Sequence, residues 1–172
     1  DKDGRRYGAK FAKSVIRSKA RMTYNKVNKI LAGDEALREE YAFLVQTAEK
    51  MNDLAHALYK RRIERGALEL DIPEAQITVD ETGRPVAIQY RDRGESEKLI
   101  EEFMLQANEA VAEYMCKRGL PTVYRVHENP DPEKLRVFAQ FARPFGYRID
   151  PSKPEDTFQF QAVLRGAKND PK

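Results

Sequence analysis

Apolar residues recur along the chain in two rhythms, and those rhythms predict its elements. Leu37, Tyr41, Leu44, Ala48, Met51, Ala55 and Leu58 follow the alternating three-four spacing of one helical face. With Asp34 as a side-chain cap they predict one long amphipathic helix running to about Arg65. At about 1.5 Å per residue it would span roughly 45 Å, enough to act as the spine of a domain. Lys60, Arg61, Arg62 and Arg65 gather at its C-terminal end, where cations favour the helix dipole; phosphate contact by one or two of them is the alternative reading. A second long helix starts at Ser96 and closes at Gly119, with Leu99, Ile100, Phe103, Met104, Ala107, Ala110, Val111 and Tyr114 forming an arc wide enough to be buried on most sides. Glu101 and Asn108 share a side with Met104 and Leu105, so Glu101 is expected to be buried and to require a cation or a ligand. Glu102, about 100° further round, is expected in solvent.

The other rhythm is period two. Tyr7 to about Met22 reads as extended, with Arg17, Lys19 and Arg21 on one face and Ile16, Ser18, Ala20 and Met22 on the other. Thr23 then caps a short helix from Tyr24 to Leu31 that ends at Gly33. Ala67 to Leu70 reads as extended, Gln76 to Val79 and Val86 to Tyr90 as a β-hairpin about Glu81–Pro85, and Pro121 to Val126 as a further strand. Asp131 or Pro132 starts a helix carrying Leu135, Val137, Phe138 and Phe141. The fold class expected is α+β: a mixed or antiparallel sheet packed with long amphipathic helices. One domain spans residues 1–150, and 151–172 is a polar segment of the same domain with an amphipathic turn around Phe158 to Leu164 and a frayed end at Lys168 to Lys172.

Composition narrows the partners. The 172 residues are 41% hydrophobic and 34% charged, with a net charge of only +3, so an anionic partner is permitted and the distribution of charge matters more than its total. Cys116 is the sole cysteine, which excludes an internal disulfide and makes a reducing, cytoplasmic setting the expectation. No apolar run approaches the roughly 20 residues of a membrane span. The Asp3-Gly4 turn signal has no strand before it, so the chain is expected to be a piece of a longer protein.

Several chemistries find no support. His56 and His127 have no metal-ligand neighbours at the usual spacing, there is no glycine-rich phosphate loop, and no dense run of Asp could hold a pair of Mg²⁺ ions. What remains is recognition. Three cations on one strand face suit a polyanion, although alternation alone favours a solvated sheet edge. Tyr24, at the strand-to-helix junction, is either a junction residue or a platform on which a base stacks.

Four segments then resemble the catalytic domain of the ribonuclease R and ribonuclease II family: SVIRSKARMTYNKV (Ser14 to Val27), ERGALELDIPE (Glu64 to Glu74), KLIEEFMLQANEAVAEY (Lys98 to Tyr114) and PTVYRVHENPDPEKL (Pro121 to Leu135). They stand in the family's order and cover most of residues 10 to 148. The resemblance implies a processive 3′-to-5′ exoribonuclease that hydrolyses single-stranded RNA with Mg²⁺ to nucleoside monophosphates. It also implies that Tyr24 contacts a nucleotide near the 3′ end and that Glu101 or Glu102 helps hold the terminal nucleotides, with Glu101 favoured by its helix face. Arg17, Lys19 and Arg21 would line the approach.

The chain departs from the family pattern in two places. The aspartates that bind the metals in the family belong to a segment before Asp1, and the catalytic arginine to one beyond Lys172; neither motif occurs here. Glu97 stands where many relatives have a histidine, which affects local capping only. The expectation is a middle portion of a partial RNB-type catalytic domain, inactive alone, within a parent that carries cold-shock and S1-type domains. The alternatives are a non-catalytic single-stranded RNA-binding module or degenerate paralogue, and a helical scaffold for protein contacts.

Overall fold

Local capping chemistry sets most of the helix boundaries. A computed structural model describes residues 1–70, 74–91 and 93–168. Thr23 accepts a hydrogen bond from Lys26 N and opens α1, Tyr24–Leu31. Asp34 accepts from Leu37 N and opens α2, Glu35–Glu40. Then follow α3 (Ala42–Glu64), strands β1 (Glu74–Val79) and β2 (Pro85–Arg91), and α4 (Glu95–Lys117). Asp131 caps α5, Pro132–Ala142, and Asp156 caps α6, Thr157–Ala167.

The chain divides into two compact units. One comprises Asp1–Arg61 and Pro73–Pro121, the other Arg62–Ile72 and Thr122–Lys172. In the first, α1 packs on α4, and Ile30, Leu99, Ala55 and Leu58 are buried. The Asp3-Gly4 turn forms, with Gly4 N donating to Asp1 O, and the buried Gly4 lies against Ala57 of α3. In the second unit Leu135, Ala142 and Ile149 form a small core against Ala139, Tyr147, Phe160 and Val163. Gln161 is buried there and its amide donates to the carbonyls of Ile63 and Ala67, closing the C-terminal end of α3.

The α+β class holds, with a sheet smaller than the pattern implied. The single sheet among the described residues is the antiparallel β1–β2 hairpin, in register from Glu74 opposite Arg91 to Thr78 opposite Ala87, with an irregularity at Thr78/Val79. Ile77, Val79, Val86, Ile88 and Tyr90 are exposed. The strands expected at Tyr7 to Met22, Ala67 to Leu70 and Pro121 to Val126 do not form. Alternation predicts which side a residue would take, but a strand exists only where a neighbour supplies the ladder hydrogen bonds, and these segments have none among the described residues.

The expected spine is two helices. It breaks at Tyr41, whose backbone leaves the helical region at φ −111° and ψ 30°. Its hydroxyl accepts from Lys26 Nζ of α1, whose ammonium also lies 4.8 Å from the ring centroid. At about 1.5 Å per residue α3 is therefore roughly 35 Å long rather than 45. The amphipathic turn at Phe158 to Leu164 is part of the longer α6. Of the expected fraying at Lys168 to Lys172, residues 169–172 lie outside the described residues, as do 71–73 of the Glu64–Glu74 segment.

Gly66 ends α3 at φ +96°, and a Cβ there would meet Thr157 Oγ1 at 2.3 Å. Gly66→Ala is expected to destabilise by at least about 1–2 kcal/mol in urea unfolding, the cost of a left-handed backbone. Adding Thr157→Ala should recover the steric part only. Unchanged stability of the single variant would rule this out.

Candidate nucleic-acid interface

The site grows from the junction of α1 with α4. Ser96, in the first turn of α4, is buried, and its Oγ donates to the carbonyl of Tyr24 at 3.1 Å. The expected start at Ser96 is corrected: α4 begins at Glu95, and its N-cap is Gly94, which has no side chain to offer. Tyr24, about 41% exposed, starts α1 at the rim of a cleft of about 640 Å³. Val27 and Ile30 of α1, Leu44, Ala48 and Met51 of α3, and Leu99 and Ile100 of α4 make the cleft mainly apolar, and Arg21 stands at its wall.

Residues 5–22 reach this junction as an exposed strap alongside α4. At one end Arg6 pairs with Glu113 and donates to Gln106 O at 3.3 Å, and Phe11 meets the Tyr114 ring edge-on at 4.8 Å. The guanidinium of Arg6, aided by Lys117, holds the Glu113 carboxyl below its ordinary pKa. At the other end the strap enters α1 through Thr23 and Tyr24. Between these anchors Lys13, Arg17, Lys19 and Arg21 are exposed, and with Lys10 they make no ion pair among the described residues. The alternating-face expectation for Arg17, Lys19 and Arg21 is corrected: Ile16, on the supposed buried face, is 85% exposed.

The two carboxylates of α4 exchange places relative to expectation. Glu102 is 4% exposed, following Ser96 and Leu99 down the side that meets α1, whereas Glu101 is half-exposed and paired with Arg93. Met104, Val111 and Ile100 are exposed, so the wide apolar arc is not buried on most sides. Asn108 is exposed as well. The junction thus brings Tyr24, Arg21 and the first turns of α4 together, with Glu102 about 9 Å along the helix from Ser96.

Sequence reasoning passed over Lys10, Lys13 and Arg93. A signal for the first two was present: between Gly4 and Gly33 there are nine Lys and Arg and no Asp or Glu. Net charge over the whole chain hides that segregation. No group of three or more His, Cys, Asp or Glu among the described residues could hold a metal ion, so the described residues do not fit a Mg²⁺ site. No helix of the described residues is long and apolar enough to cross a membrane.

The fold is thus an α+β module in which exposed cations at Lys13, Arg17, Lys19 and Arg21 lead to an apolar cleft with Tyr24 at its rim. The family model described as the RNB domain matches residues 1–172, and the chain belongs to the RNB domain family. Among its relatives, ribonuclease R 1 of Lactococcus lactis is 41% identical over 98% of this chain and 21% of its own length. Ribonuclease R of Aquifex aeolicus is 42% identical over 79% of this chain and 19% of its own length. The chain therefore spans about a fifth of these curated relatives. Among solved structures, the apo form of Mycoplasma genitalium RNase R superposes with a TM-score of 0.72 at 24% identity, covering 86% of this chain and 23% of that one. The same protein in complex with double-stranded RNA gives 0.71, covering 86% and 26%. These two similarities concern the fold.

His56 Nε2 lies 2.7 Å from Glu95 Oε2, and Lys98 Nζ lies 3.1 Å from Oε1, linking α3 to the start of α4. The hydrogen bond from His56, then that from Lys98, lowers the Glu95 pKa. A carboxyl whose folded pKa is lowered stabilises the fold above its unfolded pKa and loses that contribution as pH falls through the folded one. Glu95→Gln should therefore lower Tm slightly near neutral pH, with the gap closing as pH falls through and below the ordinary glutamate range. A gap independent of pH in thermal melts would show that the carboxylate charge contributes nothing.

Proposed function

We propose that this chain is part of a Mg²⁺-dependent, processive exoribonuclease that degrades single-stranded RNA from its 3′ end to nucleoside monophosphates, and that it contributes RNA-binding surface rather than the metal centre. The observation that carries the proposal is the acid-free run from Gly4 to Gly33, whose exposed cations lead to Tyr24 at the cleft. Similarity to proteins named ribonuclease R supports it. So does the M. genitalium relative in complex with ribose methylated single-stranded RNA.

In this reading Arg17, Lys19 and Arg21 follow the phosphates as point charges, while a base stacks on Tyr24. Glu101 is the carboxylate that can accept from a ribose hydroxyl, because it is accessible beside Arg93, whereas Glu102 is buried. Glu101 thus stays the preferred contact on the ground of access, not burial. Water activation and leaving-group stabilisation would require the metal centre, for which the described residues supply no ligand set. The wider protein would carry cold-shock and S1-type domains and work in the cytoplasm. A module that binds RNA without cutting it would share the same strap and cleft.

Tyr24→Ala should weaken binding of a single-stranded oligoadenylate by about 1–3 kcal/mol, the worth of one base–aromatic stack, as read by fluorescence anisotropy. Replacing Arg17, Lys19 and Arg21 by Gln should flatten the dependence of log affinity on log salt by about 0.7 for each phosphate that these side chains neutralise. An unaltered slope would remove the strap from the binding surface. Incubated with 3′-tailed single-stranded RNA and Mg²⁺, the chain should bind and release no mononucleotides; metal-dependent release would overturn the division of labour.

A further inference from the structure

The start of α4 is capped from another helix. An N-cap side chain ordinarily accepts from the backbone N–H two or three residues on, and in a capping box the acidic residue at the third position bonds back. Here the N-cap is Gly94, with extended backbone at φ −81° and ψ −179° and no side-chain bond. Asn28 of α1 fills the role instead. Its Oδ1 accepts from Ser96 N at 2.8 Å, and its Nδ2 donates to Glu97 Oε2 at 2.9 Å. A Cβ at Gly94 would lie 2.3 Å from Asn28 Nδ2, so the amide occupies the space that a local cap would need.

Asn28 stands four residues after Tyr24, on the same side of α1. Ser96, whose N–H Asn28 receives, returns a hydrogen bond from Oγ to the Tyr24 carbonyl. The first turn of α4 is therefore bonded to α1 at two points, under Tyr24 and one turn along. We infer that Asn28 is a positioning residue: the cap it supplies across the junction sets Tyr24 against the carboxylates of α4, and so sets the affinity for the RNA 3′ end. The inference rests on the reading that Tyr24 receives a base. It separates two functions that a local cap would leave joined, stability of α4 and registration of α1 on it.

The test uses that separation. In Asn28→Ala the space beside Gly94 is vacant, and Gly94→Ser then restores a cap local to α4 without restoring the tie to α1. Asn28→Ala is expected to lower affinity for a fluorescein-labelled single-stranded oligoadenylate by about tenfold, comparable to Tyr24→Ala, and to add little to that variant. Asn28→Ala with Gly94→Ser should regain the wild-type Tm but not the affinity. Recovery of both would make Asn28 a cap and nothing more, and undiminished affinity in Asn28→Ala would likewise overturn the inference. If Tyr24→Ala itself binds RNA normally, the stacking reading falls, and 3-fluorotyrosine at position 24 decides the positioning claim without RNA. Its ¹⁹F resonance should shift in Asn28→Ala and stay shifted after Gly94→Ser; an unmoved resonance would refute positioning.

Discussion

A helix that begins on glycine has open N–H groups in its first turn, and in α4 one of them, that of Ser96, is satisfied from α1. Asn28 takes the Ser96 N–H, and Ser96 takes the Tyr24 carbonyl. Both exchanges occur at a half-buried or buried position, where an unmade hydrogen bond costs more than a made one contributes. The relative rotation of the two helices is consequently not free. It determines which side of α4 is enclosed, where Tyr24 lies, and hence the shape of the cleft that α1 and α4 share with α3.

That rotation also settles the two glutamates. At about 100° per residue, Glu101 and Glu102 lie on opposite margins of the apolar arc of α4, each roughly 130° from its centre. Measured from the centre of that arc the two are equivalent, so the burial expected for Glu101 from its neighbours Met104 and Leu105 is not decided by the arc as a whole. The Ser96 contact with Tyr24 draws the Leu99 edge of the arc inward, which encloses Glu102 and leaves Ile100, Met104 and Val111 in solvent. Glu101 turns outward to Arg93. A partner on a different helix therefore decides between carboxylates that stand at equal angles from the centre of the arc, and it decides against the burial expected for Glu101.

The legible parts of the fold were those decided within a few residues. Thr23, Asp34 and Asp131 announce α1, α2 and α5 through their own side chains, and the hairpin is announced by alternation on both sides of a turn. Parts decided by distant neighbours were misread. The Tyr7 to Met22 alternation is genuine, yet no second strand meets it among the described residues. Tyr41 fits the helical stripe, yet Lys26 draws it toward α1. Tyr24 was legible as a candidate through the segment that resembles the family, the capped junction alone leaving it open; Asn28 was not, because its bonding partners lie in a helix sixty-odd residues away.

Charge was legible only when read locally. Nine cations without an acid between Gly4 and Gly33 outweigh a whole-chain excess of +3, so the rest of the chain is net acidic. The acids of α4 do not cancel the strap, since Glu113 is engaged by Arg6 and Glu101 by Arg93. Lys13, Arg17, Lys19 and Arg21 consequently face solvent with their charge unneutralised by any ion pair among the described residues. Free cations spaced along an extended backbone keep their side chains hydrated until a polyanion displaces that water, and they resist collapse onto the apolar cleft beside them. The strap can therefore stay open next to an apolar surface, which is the combination that the proposed binding of a single strand would use: charge along the phosphates and an aromatic rim for a base.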